Sequence, residues 1–528
     1  MSKLPSVTSH TFSEVPKAMI SRSSFDRSHG YKTTLDASYL IPIFVDEALP
    51  GDTFNLNMTG FARLATPIKP IMDNLYMETF FFAVPNRLIW DGWEAFMGNQ
   101  ASLDPPGNDY EVPTLTLPPA IPQAREQSIF DYMGLPINSD ASVVFSALPL
   151  RAYNLIYNEW FRDQNLCPEV PVFLGNTGDD GETITQYELL KRGKRHDYFT
   201  SALPWEQKGE AVTIPTLGTA PVVSDGNVPS LVQTAGGSAR QLQGKSGQDT
   251  VDVIASWAAA TSTLNWNTTG MQADLTAATT TTINDLRVAF QLQKMLERDA
   301  RGGTRYTEVI HAHFGVTSPD ARLQRPEYLG GGRTRVNINP VQQTSESATS
   351  PQGNLAAYGT ASLMNHGFTK SFTEHVTLIG LVNIRADLTY QEGLDRMWIR
   401  RGRYDFFWPA FQHVGEQAVW ADEIYASSDN DAAPVFGYQE RYAEYRYKPS
   451  KITGKFRSNA PDSLDVWHLS QDFATTPKLN QDFIEEDVPL DRVIAIPTEP
   501  HFLFDGYFKL RCARPMPLYG VPGNIDRF

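Results

Sequence analysis

Residues 502–512 read FLFDGYFKLRC. In an extended chain, Phe502, Phe504, Phe508, Leu510 and Cys512 fall on one side, and Leu503, Asp505, Tyr507, Lys509 and Arg511 on the other. Side chains along a strand alternate with a period of two. The stretch therefore predicts a strand with one face on a core and the other turned outward.

The same period recurs near the other end. Residues 38–45 (SYLIPIFV) are apolar with Pro42 inside, which suits an edge or irregular strand. Residues 49–52 (LPGD) form a turn. Phe54, Leu56 and Met58 then alternate with Asn55 and Asn57, and Thr59-Gly60 is a candidate bulge. Residues 75–84 carry apolar groups on both sides, so both faces of that strand are expected to be covered. Val376, Leu378, Val382 and Ile384 alternate through EHVTLIGLVNIRADL (374–388), and residues 441–448 also read as a strand.

Helical pieces interrupt the strands. Residues 91–97 form a short candidate; residues 149–165 place Leu150, Tyr153, Ile156, Tyr157, Trp160 and Phe161 on one stripe. The strongest helix spans 283–300 and stops at Gly302-Gly303. Residues 217–282 are rich in Thr, Ala, Gly, Ser and Asn with few charges. They read as a surface excursion, an ordered protrusion or a flexible loop, with Trp257 among its anchors. Residues 1–37 read as an extended arm or as a disordered terminus.

Strands at both ends bracketing a loop- and helix-bearing middle suit a mainly β, antiparallel jelly roll. Its first and last strands share the sandwich and its loops tolerate long insertions. A parallel α/β fold would need regular strand–helix alternation, which is missing. Charged residues are 20% and aromatics 11%, which fits both β-content and surface hidden against partners. The net charge of −15 argues against a sequence-independent grip on nucleic acid by the whole surface. If the chain encloses a genome, something else must supply most of the positive charge, and a small basic partner is the natural candidate.

Cys167 and Cys512 lie in no metal or redox spacing and are expected as buried thiols in a reducing compartment. Met1-Ser2-Lys3-Leu4-Pro5 opens without an apolar run, so no secretory signal is expected, and no stretch approaches the ~20 apolar residues of a membrane span.

Catalytic motifs are missing: there is no G-x-S-x-G, P-loop or H-E-x-x-H. His311 and His313 would face one side of a strand and could share an ion, but packed histidines explain them as well. Asp179-Asp180 and Glu485-Glu486-Asp487 read as solvated charge runs. No catalytic, metal or cofactor site is expected. Two stretches interleave basic and aromatic residues. WIRRGRYDFFW (398–408) holds Trp398, Arg400, Arg401, Arg403 and Trp408, and KRGKRHDYF (191–199) holds Lys194 and Arg195. Such residues contact phosphates and stack on bases, or anchor a subunit interface.

KRHDYFTSALPW (194–205) resembles a signature of gokushovirus major capsid proteins, in the Microviridae. So do NDLR (284–287), LERDARGGTRY (296–306), HFGVTSPDARLQRPEYL (313–329), DNLYMETFFFAVPNR (73–87), residues 24–40 and PMPLYG (515–520). The resemblance spans almost the whole chain. It implies an eight-stranded jelly roll with large loop and helix insertions over residues 38–528, and a T=1 icosahedral shell of many copies around circular single-stranded DNA. It also implies that 217–282 projects at the threefold axes. There Trp257, Asn265, Trp266 and Asn267 are candidates for contact with a host cell-surface receptor. A separate small basic DNA-packaging protein, assembly in bacterial cytoplasm and residence in the virion are further implications. The competing readings are a jelly-roll protein that binds or cleaves carbohydrate, and a phage spike or adhesin outside the main shell.

Overall fold

A computed structural model of the chain describes residues 21–98, 111–119, 126–137, 141–178, 181–210, 212, 283–316, 324–348, 350–426 and 434–519, with short strands at 222–223, 230–233, 240–244, 251–253, 264–266 and 272–273. Two compact units are formed, Met1–Glu206 with Thr317–Phe528, and Gln207–Val316.

The two large sheets of the first unit are built on ten of its strands: β1 (Ser23–Asp26), β2 (His29–Leu35), β3 (Ile41–Ala48), β4 (Thr53–Leu64), β5 (Leu75–Pro85), β6 (Glu327–Arg335), β7 (Asn337–Gln342), β8 (Leu355–Ser371), β9 (Val376–Ala386) and β10 (Phe502–Arg514). One sheet runs β2-β10-β4-β8-β7, with β1 continuing along β10 beyond β2. The other, four-stranded, runs β3-β9-β5-β6. All these pairs are antiparallel. From β2 to β5 the chain alternates between the sheets; β5 and β6 share one, β7 and β8 the other, and β9 crosses back before β10 returns beside β2, which is the winding of a jelly roll.

β10 alternates buried and exposed residues as its sequence predicts, because it lies between β2 and β4 with one face on the core. That core joins Phe54, Leu56 and Met58 of β4, Leu75, Met77 and Phe81 of β5, Val376 and Leu378 of β9, and Phe502, Phe504 and Phe508 of β10. Rings meet across it: Phe44 lies 5.4 Å from Phe508, and Phe81 5.7 Å from Phe368. Every residue of β9 is buried, since a second core lies on the opposite face of the four-stranded sheet. There Phe82, Val84, Ile379 and Leu381 meet α1 (Leu148–Ile156), which runs on into a π-turn at Tyr157–Phe161. Gly380 has no room for a side chain, because a Cβ would stand 2.8 Å from both Phe44 and Phe81.

The bulge expected at Thr59-Gly60 falls at that level of the sheet but in the neighbouring strand. β4 keeps its phase, with Phe54, Leu56, Met58, Ala62 and Leu64 all buried. Met364 and Asn365 of β8 together oppose Thr59. Asn365 takes φ +60° there, and the inward phase of β8 shifts from Leu363 to His366. Of the segment read as an arm, 23–26 and 29–35 are sheet strands; residues 1–20 lie outside those described. Residues 441–448 are not a strand. The strand Val435–Glu440 ends first, Tyr442 takes φ +64°, and Ala443–Tyr445 is a 3-10 turn. Cys167 and Cys512 are buried, unbridged thiols.

The second unit holds α2 (Ile283–Arg301) and α3 (Tyr306–Phe314). Its extent, Gln207–Val316, is wider than the low-charge stretch because both helices belong to it. His311 and His313 lie on α3, not on a strand. Two residues apart on a helix point about 200° away from each other, so the imidazoles cannot share an ion. His313 instead meets Asp299 at 2.6 Å.

Candidate subunit and nucleic-acid interface

Residues 396–411 form a chain of short turns in the first unit: a helical turn at Arg396–Ile399 and 3-10 turns at Arg403–Asp405 and Pro409–Phe411. Asp405 holds the middle turn by accepting the amides of Gly402 at 2.6 Å and Arg401 at 3.0 Å. Those two amides favour the carboxylate and lower its pKa. Trp408 Nε1 donates to the Arg403 carbonyl at 3.0 Å, and the Arg403 guanidinium lies over the Trp408 ring at 4.8 Å. Behind the segment stands the hairpin Glu416–Trp420 with Val435–Glu440.

Arg400 points inward. It donates to Glu444 at 3.0 Å and lies 4.0 Å from the centre of the Tyr445 ring. Arg396 joins Glu423 at 3.0 Å, and Tyr198 donates to the same carboxylate at 3.1 Å. Burial pushes Glu423 up in spite of Arg396. These groups line a cleft of about 380 Å³ with Tyr445 and Tyr447. Trp398 is 68% exposed, and Met397, Tyr404, Phe406, Phe407 and Trp408 are exposed beside it. The arrangement presents rings outward, held by arginines and carboxylates beneath. It resembles an anchor patch for a partner more than a reaction centre, since aromatic and arginine side chains dominate such contacts.

Sequence reasoning grouped Trp398, Arg400, Arg401, Arg403 and Trp408, and they do lie on one segment. It missed Glu444, which sits 44 residues further on and holds Arg400. No spacing announces it, because only the fold brings the turn at 443–445 under this segment.

Lys194 does not belong to any surface. It is 6% exposed, donates to Gln471 at 2.9 Å and to the Phe483 carbonyl, and lies over the Phe483 ring at 4.6 Å. Burial pushes its pKa down to about 8. The contact with DNA or a neighbour expected of it fails because its ammonium is committed inside. Arg195, the next residue, is exposed. Asn265 and Trp266 lie in the strand Leu264–Trp266, paired with residues 231–233. Trp257 and Asn267 lie outside the described residues.

The capsid protein (F protein) family of phages matches residues 13–524. The chain belongs to that family. Among curated relatives of this F-type capsid protein, the capsid protein VP1 of Bdellovibrio phage phiMH2K is 48% identical over 98% of both chains. That of Chlamydia phage 1 is 46% identical over 99% of this chain and 98% of its own. That of Spiroplasma virus 4 is 35% identical over 99% of both. The resemblance to gokushovirus capsid proteins therefore holds along the whole chain. An F-type capsid protein is a structural component of the virion that assembles with copies of itself, and not an enzyme. No described helix is long and apolar enough to cross a membrane, and the described residues hold no cluster of metal-ligating side chains.

Proposed function

We propose that this capsid protein closes into a T=1 icosahedral shell around circular single-stranded DNA, assembled in a bacterial cytoplasm. The observation that carries the reading is the match of the whole chain, jelly roll and insertions together, to proteins named capsid protein VP1. A closed shell sets each copy against several neighbours through different patches. The exposed rings of 397–408 supply one such patch, and we assign Trp398, Arg403 and Trp408 to a contact between copies. The net charge of −15 leaves most of the genome's charge to a small basic partner. Residues 217–282 project at the threefold axes and meet a host cell-surface receptor, with Trp257, Asn265, Trp266 and Asn267 as contacts.

Expression with and without a basic packaging protein and single-stranded DNA, followed by negative-stain imaging and nuclease protection, tests the shell. Uniform particles carrying protected DNA are expected. Failure to form particles under every condition would sink it and favour a spike or adhesin. For the insertion, particles lacking 217–282 should assemble but lose adsorption to host cells; unchanged adsorption would remove the receptor role.

A further inference from the structure

The four-stranded sheet turns a second group of arginines away from the sandwich core. On β5 the core takes Leu75, Met77 and Phe81, so Glu78 points to the other face with Phe82 and Val84. Arg333 of β6 pairs in register with Glu78, and Arg385 of β9 lies one step along, opposite Tyr76. The single Glu78 carboxylate receives Arg192 at 2.5 Å, Arg385 at 2.6 Å and, more loosely, Arg333 at 3.5 Å.

Positive charge is in excess. The Arg195 side chain is exposed, with no hydrogen bond or ion pair among the described residues; after burial, Arg385 and Arg333 depress its pKa further, against Glu78 and Asp387. Arg385 is buried with its Nε unpartnered. Two further carboxyls act on the group: Asp387 on Arg195, and Glu486 on Arg385 and Arg192, but burial raises Glu486 to about 7, which weakens it as a counter-charge at neutral pH.

Rings stand beside these guanidiniums. Arg333 covers Tyr76 at 3.5 Å, and Arg192 lies 5.2 Å from the centre of Phe80. Four residues along β5, roughly 14 Å at strand rise, Phe82 packs against Tyr328 at 5.6 Å, and Tyr328 against Trp160 at 6.0 Å. Trp160 and Tyr328 are 40% and 42% exposed, and Arg325 lies over Trp160 at 5.4 Å. Between the two groups the edge strand has Gly331 opposite Phe80, and the Tyr328 hydroxyl takes the room a side chain there would need. A lone carboxylate would satisfy the arginines but leave the rings bare. A chain with anions at intervals and flat faces between them satisfies both.

We propose that this strip is a binding site for single-stranded DNA, with Arg192, Arg195 and Arg333 on phosphodiesters and Trp160 and Tyr328 stacking on bases. It rests on the reading that the shell encloses such DNA. It also supplies the local grip that the acidic surface as a whole denies.

The test is fluorescence anisotropy of labelled oligothymidylate with the full-length chain across a salt series. Arg195→Gln with Arg333→Gln should weaken binding at least tenfold and flatten the log K–log salt slope by about 1.4, at ~0.7 per phosphate contact on single strands. Trp160→Ala should weaken binding about tenfold with the slope unchanged. Arg333→Lys should keep the slope, and Arg511→Gln, on the other sheet, should change nothing. Arg195→Gln alone, at an exposed and unpaired side chain, repeats the test with a slope change of about 0.7 if the double variant misfolds. Affinity and slope equal to the parent chain would overturn the site. So would lost assembly with unchanged DNA affinity, which would make the arginines a carboxylate contact between copies. Parent particles lacking protected DNA would sink the enclosing reading itself; DNA-filled parent particles with indifferent variants would sink only this site.

Discussion

Arg400 and Glu444 form a largely buried ion pair at 3.0 Å, two residues along from the exposed Trp398, so the basic-aromatic segment splits into a holding part and a presenting part. The two parts should respond to mutation differently. Arg400→Ala leaves the Glu444 carboxylate with Gln417 at 2.6 Å and a distant Arg396 at 3.9 Å. Removing one partner of a buried pair should cost about 3 kcal/mol in chemical denaturation. Trp398→Ala should leave the stability of the free chain within about 0.5 kcal/mol. It should raise the concentration needed for assembly at least ~30-fold, as a 2 kcal/mol anchor would. Assembly at the parental concentration would remove Trp398 from the contact between copies.

Arg151 and Glu182 make a second pair, fully inside. The guanidinium donates Nη2 at 2.5 Å and Nε at 3.0 Å to the carboxylate, and Nη1 to the carbonyls of Ile89 and Gly175. Arg151→Met should cost about 3–5 kcal/mol, since Glu182 would be left buried with Tyr187 alone. Arg151→Met with Glu182→Leu should recover part of that loss in urea melts. Equal stability of the single and double variants would contradict the pairing.

Asn365 carries the β8 bulge at φ +60° and accepts from Asn57 at 3.3 Å. Asn365→Gly should be nearly neutral, because glycine adopts that conformation freely. Asn365→Val should cost about 1–2 kcal/mol, because a β-branched residue clashes there. A thermal melt of Asn365→Val matching the parent would show that the strand can pair without the bulge.

Glu486 should make stability depend on pH. Burial raises its pKa from 4.5 to about 7 in the folded chain, so folding favours its protonated form. Its contribution is fully present below pH 4.5 and is lost as pH rises to about 7, by at most ~3.5 kcal/mol at ~1.4 kcal/mol per unit. Glu486→Gln removes that titration. The stability difference between variant and parent should grow in the variant's favour between pH 5 and 8, read by denaturant unfolding of the unassembled chain. A constant difference would place the titration elsewhere.

The legible parts of the fold were those whose signal is local. β10 shows its period because one face meets a core and the other does not. β5 showed apolar groups on both faces, and it does lie between two cores. The 441–448 segment misled, since its tyrosines and charged residues alternate in sequence while the chain turns at Tyr442 and leaves Tyr445 and Arg446 both exposed. The His311–His313 spacing stayed open without its element, because two residues apart means one side on a strand and opposite sides on a helix.

For the interaction surfaces, sequence alone determined composition and proximity along the chain. It showed an acidic protein, two arginine-aromatic runs and no catalytic motif, and in long strings it carried the capsid resemblance. Only the tertiary structure decided which of those charges are spent. Lys194 turns inward onto Phe483 and Gln471, Arg400 is taken by Glu444, and Glu78 gathers arginines from three separate segments while the Arg195 side chain has no ion pair among the described residues. Charge pairing depends on distances of a few ångströms between residues far apart in the chain, and those distances exist only once both sheets have closed.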